Sequence, residues 1–220
     1  MRRLLLFPTF IGHFAAATLA AQGRPALEAR LDPPTFAAVL AIIDSARRDS
    51  VPSQVLEDKA LEGAAKRVPP PRIVAAVRQL STELRDARAL LRAAAPRDPL
   101  ADGEIVAAAD VRRRGVPAAE ISALRSHVSS TAPLVVAFTV LGDLVQRGVP
   151  ADQARQVIEQ LIAAGVPAQQ IAEVPARMDV GLRVGAPPLD ALRSALPMPL
   201  RPVKPPQPLP KPNPNRQGLP

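Results

Sequence analysis

The chain has no cysteine, no tryptophan and no tyrosine among its 220 residues. Without cysteine it has no disulfide, no lipid-modified amino terminus of the lipoprotein kind and no thiolate nucleophile. Aromatic residues amount to 2%, all of them phenylalanine. That leaves no platform for stacking sugar rings or unpaired bases. There are two histidines, His13 and His127, too few for a metal cluster. Glycine is sparse and forms no phosphate-cradling loop. Stability must therefore come from aliphatic burial, and the composition supplies it, with 47% apolar residues.

Against these absences stands proline, 27 residues of it. Much of it recurs in one phrase: a Gly or small residue, a hydrophobic residue, then Pro. The phrase reads Arg114-Gly115-Val116-Pro117, Arg147-Gly148-Val149-Pro150 and Ala164-Gly165-Val166-Pro167. Looser copies are Ser50-Val51-Pro52, Arg67-Val68-Pro69 and Gly185-Ala186-Pro187. Gly accepts the left-handed conformation just past a helix C-terminus, and the next residue folds back on the last turn. Pro then suits the first position of the following helix, where its missing N–H costs nothing. Each phrase is read as a joint between two helices. The intervals Pro52–Pro69, Pro133–Pro150 and Pro150–Pro167 are 17 residues each, Pro117–Pro133 is 16, and Pro167–Pro187 drifts to 20. One interval holds a helix of about three turns plus its turn. Two intervals approach the period of tetratricopeptide-type hairpins. The likeness ends at the period, because those repeats need Trp and Tyr.

The ends are different material. Residues 1–21 read as a secretory signal peptide: Arg2-Arg3, an apolar run from Leu4 to Leu19, and Thr18 and Ala20 before a cut after Ala20 or Ala21. The alternative is a retained anchor, since the uncharged stretch Leu4–Gln22 spans 19 residues. Residues 22–32 are taken as a linker and 33–196 as the helical domain. Residues 197–220 form a tail with ten Pro, four cations and no acid, a composition that favours extended, disordered chain. Its PxxP spacings arise by chance in so Pro-rich a stretch. With Arg2, Arg3 and the tail set aside, 22 cations face 20 acids. The net charge of +8 is thus no sign of a nucleic-acid-binding domain.

Helical periodicity places helices at Thr35–Arg48, Ser53–Arg67 and Pro70–Ala94, the last lined by Ile73, Val77, Leu80, Leu84, Ala87 and Leu91. Asp102 is read as the cap of a helix ending at Arg112-Arg113-Arg114. Leu134–Val145 is apolar all round, so it reads as a central buried helix, with a strand as the alternative. Helices marked by Ile158, by Ile171 with a break at Pro175, and by Leu192 close the array.

No residue stands out as catalytic, cofactor-binding or metal-binding. His127 is read as a helix-end or surface residue, since no elbow or Gly-flanked Ser accompanies it. Glu57, Asp58 and Glu62 are read as one solvated flank neutralised by Lys59 and Lys66. The three consecutive arginines fit the negative end of a helix dipole.

The segments Asp58–Lys66 and Pro70–Val77, with the Gly-Val-Pro joints after them, resemble uncharacterised Ala-rich exported bacterial proteins over most of 35–196. That resemblance implies export and a helical fold, and carries no activity. The expectation is an all-α array of short antiparallel helical hairpins, exported to the periplasm or beyond, acting as a non-catalytic structural or interaction module of the cell envelope. A protein or peptide is the expected partner, with an anionic envelope polymer as a further partner of the tail. Nucleic acid is not expected, nor a membrane span after signal cleavage. The alternative functions are a cell-wall glycan hydrolase acting through Glu57 or Glu62, and polyanion binding through the tail.

Overall fold

The computed structural model describes residues 24–128 and 132–197. The segment read as a signal peptide, residues 129–131 and the part of the expected tail from Met198 onward lie outside them. The described chain is all-α. Its helices are α1 (24–30), α2 (Pro33–Arg48), α3 (Gln54–Ala65), α4 (Pro70–Ala94), α5 (Asp102–Arg113), α6 (Ala118–His127), α7 (Leu134–Gln146), α8 (Ala151–Ala163), α9 (Ala168–Ala172), α10 (Val174–Arg183) and α11 (Pro188–Ala195). None of them is long and apolar enough to cross a membrane. The stretch read as a linker carries α1, whose Leu27 is buried in the core.

The six joints share one geometry. In each, the residue before the hydrophobic one is left-handed: Ser50, Arg67, Gly115, Gly148, Gly165 and Gly185 have φ of 52°, 52°, 91°, 85°, 69° and 82°. In each, that residue's N–H donates to the carbonyl three back, and the next N–H donates to the carbonyl five back. At the first joint these are Ser50 to Arg47 (3.1 Å) and Val51 to Ala46 (2.9 Å); at the fourth, Gly148 to Val145 (3.0 Å) and Val149 to Leu144 (3.1 Å). This is the Schellman cap, which satisfies carbonyls that a helix end otherwise leaves open. Val51, Val116 and Val149 are buried as it requires.

The prolines sit one position earlier than expected. Pro69, Pro117, Pro150, Pro167 and Pro187 are N-caps with extended ψ, not first helical residues. Their carbonyls accept the first bond of the next helix, as Pro150 does from Ala154 at 2.9 Å. The ring holds φ where the cap needs it and forces the preceding residue, Val or Ala186, out of the helical region, so one residue ends one helix and starts the next. Asp102 is likewise inside its helix, with Ala101 as the cap. Among α2 to α11 the side-chain cap is Asp32, which accepts from the Thr35 N–H at 3.0 Å.

Two helices organise the packing. α4 lies against α2, α3, α5 and α6, and α7 lies against α5, α8, α9 and α10. Both neighbours in sequence and next-but-one helices pack, as in α2 on α4, α5 on α7 and α6 on α8. The buried line of α4 is Ile73, Val77, Ser81, Leu84, Ala87 and Leu91. Leu80 packs on this line while half-buried, and Ser81, on its other edge, is buried with it. The Ser81 hydroxyl is satisfied by Arg85 Nη1 at 3.0 Å. α7 is a helix, not a strand, and buries Leu134, Phe138, Leu141 and Leu144. It is not enclosed all round: Val135 and Thr139 face outward one turn apart.

Candidate functional site

α3 and α5 both pack on α4, and part of the α4 surface between them stays open. Ala76 stands three and four residues before Gln79 and Leu80, and Glu83 four and three after them, so the four share one side of the helix. With Lys59 of α3 and Arg113 of α5 they bound a pocket of about 130 Å3. A second pocket, of about 200 Å3, shares Glu83 and Arg113 and adds Asp86, Ala109 and Arg112. The two make one furrow along α4, with Ala76, Leu80 and Ala109 as its apolar surface and charges of both signs along its walls.

These charges are loosely paired. Glu83 Oε1 accepts from Gln79 Nε2 at 2.9 Å, while the buried Oε2 has no hydrogen-bond partner. Its nearest cation is Arg113 Nε at 3.7 Å, beyond hydrogen-bond reach. Arg113 is held instead by Asp110, at 3.1 Å. Asp86 and Arg112 are exposed, and neither forms an ion pair among the described residues. A wider and shallower cleft of about 400 Å3 lies between α2 and α4. Its Arg85 is already occupied by Asp49 (2.8 Å), Ser81 (3.0 Å) and Ser45 (3.0 Å).

The acids singled out in sequence do not form one flank. At about 100° per residue, Glu57 stands about 140° around α3 from Glu62. Glu57 points inward and is 2% exposed. Arg47 Nη2 reaches its Oε1 at 2.6 Å, and its buried Oε2 has no partner. Burial raises the Glu57 carboxyl above its ordinary range, against the pull of Arg47. Asp58 accepts from Gln54 at 3.0 Å. Glu62 is clamped by Lys66 (2.5 Å) and Lys59 (2.9 Å), which lower it to about 2. A glycosidic general acid needs an accessible carboxyl with a raised pKa. Glu57 is raised but interior, and Glu62 is accessible but ionised.

The arginine triplet separates in the same way. Arg112 lines the furrow, and Arg113 contacts Asp110. Arg114 bridges Asp110 and Asp143 of α7 at 2.6 Å each. His127 is the last residue of α6 and is exposed, with Nδ1 3.1 Å from Glu159. Among the described residues no group of three or more His, Cys, Asp or Glu is placed to hold a metal.

Two arrangements escaped the sequence. One is a ladder at the helix C-termini: Arg114 of α5 reaches Asp143 of α7, and Arg147 of α7 grips Asp179 of α10 at 2.7 and 3.0 Å. Its signal is an Asp five residues before the joint Gly and an Arg just before it, at Asp110/Arg114/Gly115 and Asp143/Arg147/Gly148. The other is Arg125, 1% exposed, which donates to the Pro99 carbonyl at 2.7 Å and lies 3.2 Å from Glu104. No family model, curated protein or solved structure matches the chain.

Proposed function

We propose that this chain is an exported, non-catalytic interaction module of the bacterial cell envelope, which holds an extended segment of a partner protein in the α4 furrow. The single observation carrying this reading is the furrow: a hollow along α4 between α3 and α5, with apolar residues on its floor and with Asp86 and Arg112 unpaired among the described residues. Its complement is a segment with small apolar residues and charges of both signs. Helical arrays use such inter-helix grooves for peptide capture without special chemistry. The interior position of Glu57 and the low pKa of Glu62 favour this reading over glycan cleavage.

Site-specific photo-cross-linking in cells tests it. A photoreactive residue at Gln79, on the furrow, is compared with one at Gln170 on α9. Adducts confined to Gln79 that map by mass spectrometry to one mixed-charge segment support the proposal. Equal adducts at both positions, or none at Gln79, reject it. Turnover of cell-wall glycan by the purified chain that is lost in Glu62→Gln rejects the non-catalytic part.

A further inference from the structure

We infer that the wider end of the furrow, where α4 meets α5, is a binding site for a small zwitterion: the ammonium and carboxylate of an α-amino acid or of a short free peptide. This goes beyond a docked protein segment, because it needs only side chains of this chain. The pocket of about 200 Å3 is walled by two guanidinium groups and two carboxylates, from Arg112, Arg113, Glu83 and Asp86. Opposite charges so close together usually neutralise each other. Here Arg113 is shared between Asp110 at 3.1 Å and Glu83 at 3.7 Å, which leaves Asp86 and Arg112 as the wall charges with no ion-pair partner among the described residues.

The charge pattern selects the ligand. A simple anion gains from Arg112 but meets Glu83 and Asp86, and a simple cation meets the converse. A molecule with both groups offers its ammonium to Asp86 and its carboxylate to Arg112 at once. The volume lies below the range of about 300–1,000 Å3 typical of drug-sized ligands, and suits an amino acid or dipeptide. Ala109 leaves room for a small side chain against α5. Because Asp86 and Arg112 are exposed, their attraction is screened, and affinity on the order of millimolar is expected.

The test uses the full chain and three probes: the dipeptide Ala-Ala, its N-acetyl form, which lacks the ammonium, and its C-terminal amide, which lacks the carboxylate. Binding is read by calorimetry or by NMR shifts of α4 and α5 amides. Ala-Ala should bind about tenfold more tightly than either blocked form. Arg112→Gln should reduce Ala-Ala to the level of the amide, and Asp86→Asn to the level of the acetyl form. Both residues are exposed, so both variants should keep the parent helical spectrum. Arg72→Gln, at the far end of α4, should bind as the parent does. Equal response to all three probes, no saturable response to Ala-Ala, or equal weakening by Arg72→Gln overturns the inference.

Discussion

At the scale of single residues, the left-handed positions carry the sharpest predictions. Four of the six joints use Gly there, and two use Ser50 and Arg67 at φ of 52°. A side chain in that region costs about 1–2 kcal/mol. Arg67→Gly should therefore raise the unfolding free energy by up to about 1 kcal/mol, part of the gain being lost to the freer unfolded chain. Gly165→Ala should lower it by about 1 kcal/mol through backbone strain alone, because an added Cβ would meet nothing within 4 Å. Gly148→Ala should cost more, because its Cβ would press on Pro188 Cγ at 3.3 Å. Urea titrations of the three variants check the order.

Glu57 supplies a pH-dependent counterpart at the same scale. Its carboxyl is raised in the fold, so the folded state binds the proton more tightly than the unfolded chain does. The stability contributed by this site is present below the ordinary carboxylate range and falls as pH rises through the interval up to the raised value. Glu57→Gln removes that loss. Its melting temperature should exceed the parent's near neutral pH, and the margin should shrink as the pH is lowered below the ordinary range. A margin that grows on acidification contradicts the assignment.

At the scale of elements, the cap geometry was legible and the polar pairing was not. The Gly-Val-Pro phrase fixed where helices end because left-handed backbone and proline are local constraints, set by the residue itself and its neighbours. Pro70–Ala94 was readable to the residue for the same reason: proline opens it and proline follows it. Glu57 is misplaced when charge is weighed ahead of helical angle. By angle alone, position 57 faces the core beside Leu56 and Ala60. The furrow was invisible because it depends on α3 and α5 both packing on α4, a tertiary fact that no local pattern encodes. The Arg–Asp ladder was within reach, since its spacing from the joint Gly repeats.

That ladder makes its own prediction. Arg147 holds Asp179 below the usual carboxylate range. A lowered folded pKa means stability present above the ordinary value and lost as pH falls through the folded one. Arg147→Gln should therefore lower the melting temperature at neutral pH and flatten its fall on acidification. Melting curves across the acid range read both effects.

At the scale of the whole molecule, α4 and α7 each gather several helices, and α5 packs on both. Amides of these two helices should exchange most slowly, since helices packed on several sides open only with the whole domain. Phe138 lies at 0% exposure on α7. Phe138→Ala should cost about 3–5 kcal/mol and leave the α7 amides exchanging faster, as measured by hydrogen exchange with mass spectrometry.

The longest connection between described helices, residues 95–101, follows the route set by Arg92 and Arg125. Arg92 donates to the Asp98 carbonyl at 3.1 Å, and Arg125 to that of Pro99 at 2.7 Å. Immediately before Asp98 and Pro99 sits Arg97, exposed and of the residue type trypsin cleaves after. The two anchors thus act as a safety catch against proteolysis. Once Arg125 is lost, a single cut after Arg97 would divide the chain between its two organising helices, leaving fragments held together only by their packing.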